Sequence, residues 1–257
     1  MNPESPITLR EDGPVAVVTL ARPPVNAVDE AWLACLDGLL GGLEGATPAR
    51  VLLLRSSARV FCAGADLALM RSRFDTTEGQ ARMVRFVRAM QRVYLRLEAL
   101  PLVTIAEIGG AALGGGLELA LCCDLRIAAT EATLGLPEAR LGLIPGAGGT
   151  QRLTRIAGEA TAKRLILGAE VVGGAEAAAL GIVQWSVPGA ALEARARALA
   201  EAIAGMPAGA LAACKRGVQA AATGDPSGYA MEVQATAKLL ADAETRDRVR
   251  RFLERRR

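Results

Sequence analysis

The spacing of apolar and polar residues predicts strands in the first part of the chain and helices in the last part. Short apolar runs on both sides of Glu11-Asp12-Gly13-Pro14 predict a hairpin, because this turn cluster separates two segments of strand length. Apolar residues at helical spacing predict a helix after Asn26 and a long helix that Pro101 ends. The predicted strands are 7–9, 15–20, 51–54, 102–108, 125–128, 133–134 and 182–187, and the predicted helices include 77–100, a short one opening at 114–116, 150–156, 159–167 and 175–180.

Strand and helix patterns together predict an α/β fold with two regions. A length of 257 residues suits one large domain or a domain with a small appendage. The pattern is helical beyond Pro188, and no internal repeat or low-complexity linker interrupts the chain. We therefore predict a strand-bearing core that holds the functional site at 1–188 and a helical region at 189–257.

The composition excludes several kinds of chemistry, because the chain has no histidine. Ser-His-Asp and Cys-His nucleophilic systems are excluded, as are His-ligated metal sites, and no metal site is expected. The cysteines are odd in number and form no C-x-x-C pair, which is typical of small buried residues in a reducing compartment. They are Cys35, Cys62, Cys122, Cys123 and Cys214.

Charge and hydropathy give no sign of a nucleic-acid or membrane partner. The formal net charge of +3 is weak and dispersed, and only the tail at 248–257 is locally basic. That tail is typical of a solvated helix end, and the alternative is contact with a phosphate-bearing ligand or a neighbouring subunit. The sequence has no apolar run of about 18 residues. The first residues lead straight into a strand, so we expect no signal peptide and a cytoplasmic protein.

Two glutamates in apolar, glycine-rich surroundings are the strongest candidates for chemistry. Glu118 follows Gly114-Gly115-Gly116-Leu117, and Glu138 follows Leu136-Pro137. Burial of one carboxylate raises its pKa, and a second carboxylate nearby raises it further because neither ionises without opposing the other. An acid and a base that work near neutral pH can be made in this way.

Two glycine-rich segments are candidates for backbone donors. One segment, 62–66, ends a strand in a tight turn, and the other, 114–116, opens a helix. Free N–H groups from both, converging on one oxygen, would form an oxyanion hole, although the glycines could equally serve close packing alone. The spacing fits neither a dinucleotide-binding fingerprint nor a P-loop, since the third glycine of the former and the Lys-Ser/Thr of the latter are missing.

These segments, taken together, resemble the enoyl-CoA hydratase/isomerase (crotonase) family over essentially the whole chain. The specific parts, in order, are FCAGADL at 61–67, GGAALGGGLELA at 109–120, CDLRIA at 123–128, GLPE at 135–138 and IPGAGGTQRL at 144–153. The resemblance implies a spiral of ββα turns. It also implies a C-terminal helical region that makes trimer contacts and completes the coenzyme A site, with a homotrimer or a hexamer (a dimer of trimers) as the assembly.

The resemblance also implies a role for individual residues. The backbone N–H groups of Ala65 and Gly115 would hold the thioester carbonyl oxygen, and Glu118 and Glu138 would flank the Cα–Cβ bond of the substrate. Coenzyme A and substrate contacts are expected from Pro24, Val25, Ala63, Ala65, Asp66, Leu67, Ala68, Gly115 and Gly146. No cofactor is expected, because coenzyme A is part of the substrate.

The presence of both glutamates favours a hydratase, because many isomerases of the family keep only the later one. The expected reaction is syn addition of water to a trans-2-enoyl-CoA, giving a 3-hydroxyacyl-CoA as in fatty acid β-oxidation. The alternatives are an enoyl-CoA isomerase, a hydratase of the methylglutaconyl-CoA type, and an inactive scaffold that binds acyl-CoA.

Three further residues have simpler interpretations. Asp66 is expected to cap a helix, and Arg140 to be a surface cation that could pair with Glu138. Cys62 is expected to serve packing, and its place near the oxyanion segment makes thiol alkylation conceivable.

Overall fold

The computed structural model describes residues 5–45 and 47–255. The predicted absence of a signal peptide at residues 1–4 and the end of the basic tail at 256–257 fall outside the described residues. Within the described residues, the architecture is an α/β spiral with helices against its sheets, as predicted.

The main sheet starts with the predicted hairpin and continues with parallel strands. Strand β1 (Ile7–Asp12) pairs antiparallel with β2 (Val15–Leu20), and β2 pairs in parallel with β3 (Val51–Ser56). The sheet continues through β4 (Val103–Ile108), β6 (Leu125–Ala129) and β9 (Trp185–Val187), again in parallel. Strand β4 is buried along its whole length, which accounts for its fully apolar pattern apart from Thr104 and Glu107.

A second set of short strands positions the functional site. Strand β5 (Ala112–Leu113) pairs in parallel with β7 (Thr133–Gly135), which pairs antiparallel with β8 (Val171–Gly173). An isolated parallel bridge joins Cys62 to Ala112 on the other side of β5. The chain therefore passes through this second layer in consecutive turns at 62, 112 and 134.

The helices fill the spaces around the two sheets. In chain order, they are α1 (Glu30–Leu43), α2 (Leu67–Arg71), α3 (Thr77–Ala99), α4 (Gly115–Leu121), α5 (Gly149–Leu167), α6 (Gly174–Ala179), α7 (Gly189–Ala204), α8 (Ala208–Thr223), α9 (Gly228–Leu240) and α10 (Ala243–Glu254), with a 3₁₀-helix at Pro137–Leu141. None of the helices in the described ranges is both long and apolar enough to cross a bilayer.

The elements that the sequence did not predict are short or interrupted. Strands β5 and β8 span two and three residues, too few for an alternating pattern to show. The two helices predicted at 150–156 and 159–167 are the two halves of α5, which Gly158 interrupts with a non-helical backbone at φ 81°. The last strand begins at Trp185 rather than Ile182, because Ile182 and Val183 belong to the turn after α6 and are buried there.

The helices after β9 differ in how deeply they are packed. Helix α7 packs against β3, β4 and β6, and it buries Leu192 and Ile203. Helices α9 and α10 bury no residue in the single chain. The predicted division at residue 188 falls between β9 and α7, and the helix that follows it is still a layer of the core.

Candidate active site

Three neighbouring turns bring the predicted functional residues together. Ala65 lies three residues after Cys62, Gly115 three after Ala112, and Glu138 follows Leu134 of β7. Because these turns run in parallel, the residues after them emerge at the same edge of the second sheet. The hydrogen bond from the N–H of Gly114 to the carbonyl of Gly135, at 3.0 Å, ties the second turn to the third.

Helix α4 packs unusually close to the first of these turns because it begins with glycines. A Cβ added at Gly116 would overlap the backbone carbonyl of Cys62, so a larger residue cannot be placed there without moving the helix. Gly114 has a φ of 52°, which an L side chain rarely adopts. Tyr94 of α3 fixes the start of α4, since its buried hydroxyl donates to the carbonyl of Gly115 at 3.0 Å.

The predicted oxyanion donors lie side by side. The nitrogen of Ala65 is 3.5 Å from the position that a Cβ would take on Gly115, and the nitrogen of Gly115 is 3.1 Å from that position on Gly64. The carbonyl of Gly64 and the N–H of Asp66 both bond Val28, so the intervening N–H of Ala65 faces the other way. Among the loop, turn and cap hydrogen bonds of residues 5–45 and 47–255, neither Ala65 nor Gly115 donates its N–H. The two donors are available to a ligand oxygen.

Glu118 is a buried carboxylate held by a backbone amide. It is 2% exposed, and its Oε1 accepts the N–H of Gly149 at 2.7 Å. Its pKa is raised from 4.5 to about 7. Burial is the largest cause and the negative charge of Glu138 adds to it, while the N–H groups of Gly149 and Ala147 and the charge of Arg152 act in the opposite direction. Glu118 therefore changes charge near neutral pH, as the sequence predicted.

Glu138 lies in the 3₁₀-helix, beside the turn that carries the second oxyanion donor. Its Oε1 is 3.1 Å from the position of a Cβ on Gly114, so this carboxylate contacts the turn that carries Gly115. Burial raises the pKa of Glu138 above its ordinary value. Its Oε2 is buried without a hydrogen-bond partner in the part of the chain that the structure describes, which leaves one oxygen for a ligand.

A cavity of about 370 Å³ opens beside the first turn. Its walls include nearly all of the residues expected to contact coenzyme A: Pro24, Val25, Ala63, Ala65, Asp66, Leu67 and Ala68. Gly115 lies next to this cavity through its contact with Gly64, whereas Gly146 lies on the Glu118 side, against Val87 of α3. The structure thus divides the expected contact residues between the two ends of the site.

Comparison with known proteins identifies the family of this chain. The family model described as enoyl-CoA hydratase/isomerase matches residues 10–257. The chain belongs to the enoyl-CoA hydratase/isomerase family.

Individual relatives cover the chain to different extents. It is 39% identical over 246 residues to the putative enoyl-CoA hydratase/isomerase YngF of Bacillus subtilis, covering 95% of this chain and 93% of that protein. It is 44% identical over 195 residues to the mitochondrial enoyl-CoA hydratase domain-containing protein 2 of Bos taurus, covering 74% of this chain and 64% of that longer protein. The crystal structure of enoyl-CoA hydratase from Bacillus anthracis superposes with a TM-score of 0.90 at 35% identity, covering 97% of this chain and 96% of that one.

The simpler expectations for residues around this enoyl-CoA hydratase/isomerase site have mixed outcomes. The expectation for Asp66 is confirmed, since its carboxylate caps α2 by accepting the N–H groups of Ala68 and Leu69. The suggestion that Cys62 could be alkylated is wrong. Its thiol is fully buried, donates to the carbonyl of Asn26 at 3.1 Å, and has a pKa raised by burial to about 12.

Several residues that shape this site were missed by sequence reasoning. Tyr94 and Gln91 of α3 and Arg152 of α5 bond the backbone of the loops around the glutamates. Each is a polar residue inside a helical pattern, which usually indicates a solvated face. The available signal was Arg152, a charged residue directly after Gly148-Gly149 and only 14 positions beyond Glu138.

Proposed function

We propose that this protein hydrates trans-2-enoyl-CoA thioesters to 3-hydroxyacyl-CoA. The observation that carries the proposal is the arrangement of two carboxylates with raised pKa, the buried Glu118 and the partly buried Glu138, near two adjacent backbone donors. A single acid–base group is enough to move one proton between two carbons in an isomerase, whereas two groups allow the two protons that move in the addition of water to be handled separately.

In the proposed reaction, the thioester oxygen accepts hydrogen bonds from the N–H groups of Ala65 and Gly115. Glu118 accepts a proton from a water molecule as its oxygen forms a bond to Cβ, and the electron pair of the double bond moves toward the thioester as an enolate. The two N–H groups stabilise this negative charge. Glu138 then delivers its proton to Cα, and the proton on Glu118 returns to Glu138 through the shared solvent, which restores both groups.

The protonation state of Glu118 supports this assignment. A general base is most effective when its pKa lies near the working pH, and burial brings the pKa of Glu118 to about 7. The reaction needs no cofactor in this proposal, because backbone amides polarise the carbonyl and coenzyme A is part of the substrate.

The surroundings of the site support an acyl-CoA ligand, and the family acts on acyl-CoA thioesters. The cavity lined by Pro24, Val25 and 63–68 offers space for part of such a ligand beside Ala65. We further propose a homotrimer or hexamer, with a role in fatty acid β-oxidation. A cytoplasmic location is part of the same proposal and is supported by the five free cysteines.

Substitution of each glutamate tests the reaction. In Glu118→Gln and Glu138→Gln, the amide keeps the shape of the side chain but cannot exchange a proton, so we expect hydration of crotonyl-CoA to fall by several orders of magnitude. The measurement is the loss of the conjugated enoyl thioester absorbance. Binding of a saturated acyl-CoA, measured by calorimetry, serves as the control and should remain near that of the wild type.

Other outcomes of this experiment separate the alternatives. Near-normal turnover in either variant would contradict the assigned roles. Turnover of a 3-enoyl-CoA without hydration of crotonyl-CoA would identify an isomerase. Acyl-CoA binding with neither activity would identify a scaffold, and rates on branched or carboxylated enoyl-CoA would identify a hydratase of the methylglutaconyl-CoA type.

A further inference from the structure

The loop at 146–149, whose last residue is also the first residue of α5, supplies the amides that hold Glu118. It connects the 3₁₀-helix to α5, and both Gly148 and Gly149 lie in it. A peptide N–H and the carbonyl of the preceding residue belong to one rigid plane and point in opposite directions. The groups that bond the carbonyls of this loop therefore decide where its amides point.

Two side chains bond these carbonyls from the side away from Glu118. Gln91 of α3 donates to the carbonyl of Gly146 at 2.7 Å, which belongs to the same peptide plane as the N–H of Ala147. Arg152 donates from Nη1 to the carbonyl of Ala147 at 2.9 Å, and its backbone N–H donates to the carbonyl of Gly148 at 2.9 Å. That last carbonyl shares its plane with the N–H of Gly149, which bonds Glu118.

The Arg152 side chain is built into the fold rather than lying on its surface. It is 4% exposed, and a Cβ added at Gly148 would overlap its guanidinium group. Two nitrogens of Arg152 contact Oε2 of Glu98 in α3: Nε donates to it at 2.9 Å, and Nη2 lies 2.7 Å from it. Arg155 also reaches Glu98, at 3.3 Å, from the next turn of α5.

The charges around Glu118 come from every element that packs against it. Glu138 of the 3₁₀-helix is the negative neighbour, and Arg152 of α5 is the positive one, with Glu98 of α3 behind it. Tyr94 of α3 and Cys122 of α4 also lie close, but burial raises the pKa of both groups well above the ordinary value, so they are neutral at physiological pH. Arg152 is thus the positive charge that opposes Glu138 at Glu118.

We propose that the Arg152–Glu98 ion pair is a positioning device that holds the loop at 146–149 against Glu118 and balances the charge of that carboxylate. This inference rests on the proposed hydratase function, in which Glu118 acts in its ionised form. Arg152 touches neither the substrate nor the reacting atoms, and acts through the loop and through its charge. Neither the arginine nor its partner on α3 was assigned a role by the sequence.

The two ends of the ion pair make opposite predictions for the pH dependence of kcat/KM on crotonyl-CoA. Arg152→Met removes the positive charge, so Glu118 ionises less easily and the acid limb of the profile should move to higher pH by roughly one pH unit. Glu98→Gln leaves Arg152 without its negative partner, so the acid limb should move to lower pH. Both variants break the same ion pair. If the pair gave structural support alone, the acid limb would move in the same direction in both variants or stay unchanged in both.

Two further variants control for charge and for position. Arg152→Lys keeps the positive charge but loses the fork that bonds Ala147 and Glu98 together, so we expect a lower kcat with an acid limb near that of the wild type. Arg164 lies in the same helix and forms exposed ion pairs with Glu170 and Glu176, so Arg164→Met is a control that should leave both the acid limb and the rate unchanged. If Arg152→Met does not fold, as judged by circular dichroism, Glu98→Gln and Arg152→Lys still decide the question.

A measurement without substrate separates this inference from the proposed function. The carboxyl carbons of ¹³C-labelled glutamate report the titration of Glu118 directly, with its signal assigned by its loss in Glu118→Gln. We expect the titration midpoint to rise in Arg152→Met and to fall in Glu98→Gln. Shifts of the same sign, or none, would overturn the inference even in an active hydratase, whereas a chain without hydratase activity would overturn the function and leave this titration valid.

Discussion

At the scale of single residues, the pKa of Glu118 is set by opposing influences from its surroundings. Burial and the charge of Glu138 favour its neutral form, whereas the amide of Gly149 and the charge of Arg152 favour its ionised form. Burial has the largest effect, so the pKa lies at about 7 instead of the ordinary 4.5. The sequence predicted the direction of this shift from apolar neighbours, but not the amide or the arginine, because both reach Glu118 only through the fold.

The raised pKa of Glu118 predicts how the stability of the protein depends on pH. The folded-state pKa of about 7 exceeds the ordinary value of 4.5, so the proton is bound more tightly in the folded state. The stabilisation from protonated Glu118 is fully present below about pH 4.5 and is lost as pH rises through 7. At pH 8, ionised Glu118 lowers the free energy of unfolding by about 3 kcal/mol, since each pKa unit corresponds to about 1.4 kcal/mol.

Glu118→Gln should therefore be more stable than the wild type at pH 8, by up to about 3 kcal/mol, and similar to it at pH 4.5. Urea unfolding at several pH values measures the difference. Glu159→Gln, an exposed glutamate on α5, is the control and should show no comparable pH-dependent gain. A constant difference across pH would show that Glu118 titrates at its ordinary pKa in the folded protein.

At the scale of elements, the longer and more regular strands and helices were the ones that the sequence predicted. Both ends of β2 and the start of β1 were predicted correctly, and α3 was predicted to within one residue, because these apolar patterns extend over several positions. The end of β1 was predicted three residues too early. Strands β5 and β8 could not be predicted, since they are short pairing segments defined by neighbours that are distant in sequence. The turns that build the site depend on those short strands, so its composition was predictable but its geometry was not.

A substitution at Gly116 tests whether the close approach of α4 to the turn at Cys62 is needed for activity. Gly116→Ala places a methyl group against the backbone carbonyl of Cys62, so α4 must move away and separate the N–H of Gly115 from that of Ala65. We expect a loss of crotonyl-CoA hydration of at least 100-fold, the order seen for removal of one oxyanion donor. Thermal unfolding should show a destabilised protein.

Gly38 in α1 is the matched control for this substitution. It is exposed, and an added Cβ there has nothing within 4 Å. Gly38→Ala should stabilise the protein by about 0.5–1 kcal/mol through helix propensity, with activity unchanged. A Gly116→Ala protein as active as this control would show that α4 does not need its close approach.

At the scale of the whole molecule, the C-terminal helices are incompletely packed in the single chain. Tyr229 is 85% exposed, Val233 71% and Val218 70%, and all three belong to α8 or α9. Apolar side chains on adjacent helices are typical of a surface that another chain covers. Part of the basic tail is paired within α10, since Arg248 bonds Glu244 and Arg251 bonds Asp247, which favours a solvated helix end.

We expect light scattering to give the mass of a trimer or a hexamer. The double substitution Val218→Asp and Val233→Asp adds charge to this surface without touching the buried core, so it should reduce the mass toward that of a single chain. Gln234→Asp adds a charge at the next position of α9 and should have a smaller effect. A wild-type protein that is monomeric at micromolar concentration would contradict the oligomer.

The pairing of successive turns in the second layer fixes the distance between the turns that carry the two oxyanion donors, and no side chain sets this distance. Adjacent strands are held about 4.8 Å apart by their backbone hydrogen bonds, and the turns that carry Ala65 and Gly115 are such neighbours. Backbone pairing therefore sets the distance between the N–H groups of Ala65 and Gly115. Connections outside these paired turns, such as the one between α2 and α3, can gain or lose residues without changing that distance. In the proposed reaction, such changes would alter the space around the acyl chain and leave in place the two amides that bind the thioester.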